Sequence, residues 1–159
     1  MLKINVVCIG KIKESFFRDA INEYTKRLSR FCSLHIIELP DEKIPDKSSL
    51  AVEEAIKEKE GRLILPYLKN DCYNIALDLK GKQYDSIEFS QKISNLSLYN
   101  STINFVIGGS LGISKEVLEK CNEYICFSKM TFPHQLIRIF LLEQLYRAFK
   151  IANNETYHK

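Results

Sequence analysis

The sequence predicts an α/β domain built on a mainly parallel sheet, and three observations carry that prediction. Short β-branched apolar runs alternate with stretches of helical periodicity from one end of the chain to the other. Each of the five runs is followed by a helical stretch, the connection that parallel neighbours require. Turn and capping residues fall between the runs rather than inside them.

Lys3–Ile9 (KINVVCI) reads as the first strand, and Ser15–Arg30 as an amphipathic helix with Phe16, Ala20, Tyr24 and Leu28 at helical spacing. Ser33–Leu39 is the second strand, ended by Pro40, and Asp41–Lys47 is the longest loop. Ser48 is placed to cap a second helix whose charges alternate in sign, with Gly61 and Pro66 disturbing its end. Tyr73–Leu79 is the third strand; Asp85 with Glu88 three residues on forms a capping-box signal for a helix to about Leu98. Thr102–Ile107 is the fourth strand, Ser114 caps a short helix, Tyr124–Phe127 is the fifth strand, and His134–Ile151 is the last helix. A short polar tail follows.

That last helix is too apolar for a single buried stripe. A helix lying on one sheet needs an apolar arc of about 100°. Leu136, Ile137, Ile139, Phe140, Leu141, Leu142, Leu145, Tyr146, Ala148, Phe149 and Ile151 leave only a thin polar edge at Arg138, Glu143, Gln144, Arg147 and Lys150. Burial on two sides, by the sheet and by a second copy of the chain, accounts for it, so a homodimer is expected.

Composition bounds the rest. The 159 residues suit one domain, with no internal linker or repeat. A formal charge of only +3 permits contact with nucleic acid without demanding it. No apolar stretch is long enough for a bilayer and no signal-peptide layout opens the chain, so a cytoplasmic protein is expected. The five cysteines, Cys8, Cys32, Cys72, Cys121 and Cys126, form no CxxC pair, and Cys121 and Cys126 lack further ligands nearby. They read as small buried thiols in a reducing compartment, with no metal.

In open α/β sheets ligands gather at the carboxyl ends of strands. Three successive strand ends carry unusual loops: Lys80-Gly81-Lys82, Gly108-Gly109-Ser110-Leu111-Gly112, and Ser128-Lys129-Met130-Thr131-Phe132-Pro133-His134. The glycine loop lets backbone amides approach a ligand, but a tight turn would use the same residues. It matches neither phosphate-binding pattern: no Gly-Lys-Ser/Thr follows, and the spacing is GGxxG with no acid ending the next strand. In the third loop Met130, Phe132 and Pro133 are apolar where turns favour polar residues, which suits either a sandwiched flat ring or a loop tucked into the core. His134 reads as an N-terminal helix residue with a satisfied ring. A receiver domain would need acids after the first strand, where Gly10-Lys11 stands. A nucleotide-binding oxidoreductase and a non-catalytic RNA-binding protein are the remaining alternatives at this level.

The segments FVIGGSLG (residues 105–112), FSKMTFPHQ (127–135) and EQLYRA (143–148) closely resemble the RlmH family of SPOUT-class methyltransferases. So do the opening IGKIKE (9–14) and the closing ETYHK (155–159), so the resemblance spans essentially the whole chain. It implies a SPOUT-type α/β-knot fold: one domain over residues 1–159, with a C-terminal trefoil knot over roughly residues 72–152 and no separate RNA-binding domain. It implies S-adenosylmethionine as methyl donor, held by Leu77, Gly108, Gly109, Phe127, Ser128, Lys129, Met130, Thr131 and Phe132. It implies a homodimer acting on a pseudouridine of 23S ribosomal RNA, at N3, in the assembled ribosome. Transfer would be direct and in line, without a covalent enzyme intermediate. His158 and Tyr157 of the tail become the expected catalytic pair, with His158 as proton acceptor, and Arg138, Arg147 and Lys159 the expected RNA contacts.

Overall fold

The computed structural model describes residues 1–157 of the chain. The elements are β1 (Lys3–Ile9), α1 (Ser15–Leu28), β2 (Ser33–Leu39), α2 (Leu50–Ile64), a 3-10 turn (Leu65–Tyr67), β3 (Tyr73–Lys82), α3 (Ser86–Tyr99), β4 (Thr102–Ile107), α4 (Lys115–Lys120), β5 (Glu123–Ile125) and α5 (His134–Ala152). The five strands make one sheet in the order β2-β1-β4-β3-β5, parallel throughout.

The period of two along each strand divides the core in two. Ile4, Val6 and Cys8 join Ile75, Phe105 and the α5 residues Leu141, Leu142 and Leu145 on one face. Val7, Ile9, Ala76 and Val106 meet Ile64 of α2 and Val117 of α4 on the other. Helices α1, α3 and α5 therefore cover one side, with α5 between its two neighbours, and α2 and α4 the other.

A polar ladder crosses the second face. Asn5 Nδ2 donates to Asn104 Oδ1, and Asn104 Nδ2 donates to Asn74 Oδ1 and to the Tyr67 carbonyl, each at 2.8 Å. The three asparagines occupy matching positions on β1, β4 and β3. A slip of one residue would bury these amides without partners, so the ladder fixes the register of the strands that carry the loops.

The structure revises several sequence boundaries. Ser49, not Ser48, caps α2: its hydroxyl accepts from the Val52 amide at 3.2 Å, while Ser48 sits one residue out and donates to Glu53 at 2.9 Å. Helix α2 runs through Gly61, where a Cβ would lie 2.5 Å from Ser114 Oγ, so close packing on the cap of α4 accounts for a glycine inside the helix despite its low propensity. The capping box of α3 forms as expected, Asp85 accepting from the Glu88 amide at 2.7 Å and Glu88 from the Asp85 amide at 2.9 Å. The largest revision concerns Lys80-Gly81-Lys82, which is not a loop. Strand β3 leaves β5 after Leu77 and returns at Lys82, so that both residues pair with Ile125. The Cys126 amide donates to the Lys82 carbonyl at 3.0 Å. A Cβ on Gly81 would lie 2.6 Å from the backbone of Tyr124 and Ile125, so only glycine permits this crossing.

Candidate functional site

The carboxyl ends of β3, β4 and β5 enclose a cavity of about 700 Å³, within the range of small-molecule sites. Its walls are residues 77–80, 107–113, 125–128 and 130–134, with Ile137 of α5. Of the expected donor contacts, Leu77, Gly108, Gly109, Phe127, Ser128, Met130, Thr131 and Phe132 come together here. Lys129 is exposed and is not part of the lining.

The glycine loop is both a tight turn and a cavity wall. Gly112 adopts φ +95° and its amide donates to the Gly109 carbonyl at 3.0 Å, closing the turn. A Cβ on Gly108 would lie 2.8 Å from the Gly112 backbone and from Ile113. The apolar loop is held by short-range bonds: Cys126 Sγ donates to the Ser128 carbonyl at 2.9 Å and the Met130 amide to Ser128 Oγ at 3.1 Å. Phe132 meets Phe140 of α5 edge-on at 5.3 Å. Met130 is 73% exposed, so this loop is not simply tucked into the core.

Two titratable groups stand out here: His134 on the cavity wall and Glu60 behind the glycine loop. His134 opens α5 and lines the cavity, yet its Nδ1 is buried without a hydrogen-bond partner, contrary to the expected satisfied ring. Burial and then the nearby Arg138 guanidinium lower its pKa, which favours the neutral imidazole. Glu60 of α2 is 5% exposed and would lie 3.2 Å from a Cβ on Gly109. Its carboxylate accepts from the Glu42 amide at 3.1 Å, tying the Asp41–Lys47 loop beneath the glycine loop.

Burial raises the Glu60 pKa; the hydrogen bond from the Glu42 amide offsets part of this, and the Asp41 and Glu42 charges add to it. A carboxyl with a raised native pKa contributes stability below its ordinary value of 4.5 and loses it as pH rises through the native value. Glu60→Gln keeps the acceptor for Glu42 and removes the charge. It is expected to gain roughly 0.5–1 kcal/mol at neutral pH, and nothing below pH 4.5. Urea denaturation of both proteins at the two pH values measures this.

Of the expected RNA and catalytic residues, Arg147 and Tyr157 come together on Glu143, whereas Arg138 lies apart in the core. Arg138 does not reach the surface: it is 1% exposed and donates to Glu38 at 2.9 Å, the Ile9 carbonyl at 2.9 Å and the Gly10 carbonyl at 2.8 Å. It braces the first strand end, where Glu38 also accepts from the Ile12 amide at 2.8 Å. Arg147 pairs with Glu143 at 2.9 Å and lies over the Tyr157 ring, 4.7 Å from its centroid. Tyr157 donates to both Glu143 oxygens, at 3.1 and 2.9 Å. Burial and Glu143 raise its pKa, keeping it a neutral phenol. Glu143 borders a second cavity of about 440 Å³, which shares Ile125, Phe127, Ser128 and Phe132 with the first. His158 and Lys159 lie outside the described residues. Among the described residues no three His, Cys, Asp or Glu side chains gather as a metal site, and no helix is long and apolar enough to cross a membrane.

Comparison with known proteins adds the following. A family model described as "Predicted SPOUT methyltransferase" matches residues 2–158. A protein of Clostridium botulinum named ribosomal RNA large subunit methyltransferase H is 59% identical, over 99% of this chain and 100% of the relative. One of Clostridium acetobutylicum with the same name is 55% identical over the same shares. Among solved structures, a probable methylase family protein from Haemophilus influenzae matches with a TM-score of 0.57 at 15% identity. It covers 98% of this chain and 70% of that one, a likeness of fold.

Proposed function

The chain belongs to the SPOUT methyltransferase family, and from that premise we propose that it methylates N3 of a pseudouridine in 23S ribosomal RNA within the assembled ribosome. It is an S-adenosylmethionine-dependent methyltransferase of large-subunit ribosomal RNA. The observation that carries the donor site is the cavity bounded by the 77–80, 107–113 and 125–134 segments. Its volume suits the donor, and a Cβ at Gly108 would displace the turn that forms its wall.

The donor supplies an electrophilic methyl group on a sulfonium. The backbone of the Gly108–Gly112 turn and the Phe127–Phe132 segment would hold it, with Leu77 and Phe132 as apolar walls. The protein must align that methyl group with N3 and accept the N3 proton. Tyr157, donating to Glu143 and kept neutral, is suited to orient rather than to accept. His158 therefore remains the proposed proton acceptor. No cysteine is needed: burial pushes the Cys8 thiol up to about 11, which makes it a poor nucleophile at neutral pH.

We further infer one knotted domain over the chain, with residues 78–82 closing over β5 as part of the knot. The working form is a cytoplasmic homodimer. Leu136, Ile139, Phe140 and Ile151 of α5 are only half-buried in one chain, which leaves apolar surface for a second copy. Calorimetric titration tests the donor site: S-adenosylmethionine should bind, and NADH and FMN should not. Folded dimeric protein that binds none of them would promote a non-catalytic role, and a monomeric mass at micromolar concentration would remove the dimer.

A further inference from the structure

Of the residues first expected to meet RNA, Arg138 is buried and Arg147 is paired with Glu143, and Lys159 lies outside the described residues. We infer that Lys80, Lys82 and Lys129, around the exposed Leu79 and Met130, form a rim at the mouth of the donor cavity that grips the phosphate backbone of the substrate RNA; this rests on the ribosomal RNA methyltransferase reading.

The rim follows from how β3 crosses β5. The pairing with β5 is irregular between Leu77 and Lys82, which takes residues 78–81 off the regular ladder. Gly81 is pressed on the Tyr124–Ile125 backbone, and Leu79, Lys80 and Lys82 around it are exposed. The Cys126 amide, bonded to the Lys82 carbonyl, ties this segment to the loop that carries Lys129 and Met130. Leu79, Lys80 and Met130 line the same cavity, so the strand crossing and the loop meet at one mouth.

Charge at that mouth is one-sided. Asp78 is the one acidic side chain on the lining, and its carboxylate accepts from the Lys80 amide at 3.1 Å. No carboxylate among the described residues pairs with Lys80, Lys82 or Lys129, whereas Lys92, Lys57 and Lys150 are all paired. Lys82 lies over the Tyr84 ring, 4.8 Å from its centroid, which holds its ammonium in place. Between these cations, Leu79 is 57% and Met130 73% exposed, apolar surface on which an unstacked base can rest. Three cations without a carboxylate partner, around an apolar patch and beside a methyl-donor cavity, fit a nucleic-acid strand. A protein partner would be expected to bring a larger apolar area.

The test is the double variant Lys80→Gln/Lys129→Gln, with methylation of ribosomes measured across salt concentrations and donor binding followed by calorimetry. Each phosphate contact contributes roughly 0.7–0.9 to the slope of log affinity against log salt. The double variant should raise KM for ribosomes about tenfold and flatten that slope by about 1.5. Its dimeric mass should match the wild type; Lys82→Gln, whose side chain is not part of the donor cavity, should also leave kcat and donor affinity unchanged while flattening the slope by about 0.7–0.9. Lys80→Arg/Lys129→Arg should restore both KM and slope. Unchanged KM and slope in an active protein would overturn the rim alone. Loss of the dimer would overturn it in favour of a subunit seam, and loss of donor binding in favour of a donor contact. Wild-type protein that binds donor but methylates no ribosomal RNA would overturn the parent reading as well.

Discussion

Replacing Arg138 by methionine is expected to destabilise the protein by about 3 kcal/mol, the cost of leaving two buried backbone acceptors unpaired. The substitution strands the Ile9 and Gly10 carbonyls, both bonded to the guanidinium, and removes the cation beside Glu38, which keeps the Ile12 amide as donor. Each stranded buried acceptor costs about 1–3 kcal/mol. The Glu38 side chain is 34% exposed, so its carboxylate regains water and adds little. For a chain of this length the melting temperature should fall by about 6–12 °C. Arg138→Lys should recover less than half of this, since an ammonium cannot span the three acceptors. Thermal and urea denaturation measure both variants. At a temperature where Arg138→Met is still folded, its KM for ribosomes should match the wild type, which separates a brace from an RNA contact. An unchanged melting temperature would contradict the buried network.

Gly108→Val should cost at least about 100-fold in donor affinity, near 2.7 kcal/mol. The valine Cβ would meet the Gly112 backbone and Ile113 at 2.8 Å. A backbone collision is relieved only by opening the turn, and that turn is one wall of the cavity. Gly112→Ala is the informative contrast. No atom lies within 4 Å of its Cβ position, but φ +95° strains any residue with a side chain. It should lose about 1 kcal/mol of stability, yet bind donor far better than Gly108→Val. Calorimetry on the two variants, with their melting temperatures, checks the pair. Similar donor affinities would mean that Gly108 matters only as part of the turn.

The contrast between these glycines and Arg138 indicates what a sequence can convey. β1, β2 and β4 have the boundaries expected from their apolar runs, because Gly10, Pro40 and the Gly108 turn end them locally. The Asp85–Glu88 box and the Ser114 cap are likewise three-residue signals, legible without any partner. What escaped depends on distant contacts. Lys80-Gly81-Lys82 has the composition of a turn and becomes strand only because β5 lies against Gly81. Glu60 sits on a helix of alternating charge, and nothing beside it in sequence marks it as the carboxylate beneath the glycine loop. Arg138 resembles the polar edge of a helix, but its acceptors lie at least 100 positions away in the chain. The glycine loop and the apolar loop are legible because apolar and glycine residues at strand ends are locally anomalous. The resemblance, not the periodicity, identified the donor.

The most direct test of the account is transfer of labelled methyl from S-adenosylmethionine to ribosomes from cells lacking this activity, followed by nucleoside analysis of the purified 23S RNA. The account predicts one labelled nucleoside, a pseudouridine methylated at N3, formed on assembled ribosomes and poorly on naked RNA. Label in any other nucleoside, or equal labelling of a short free hairpin, would contradict it.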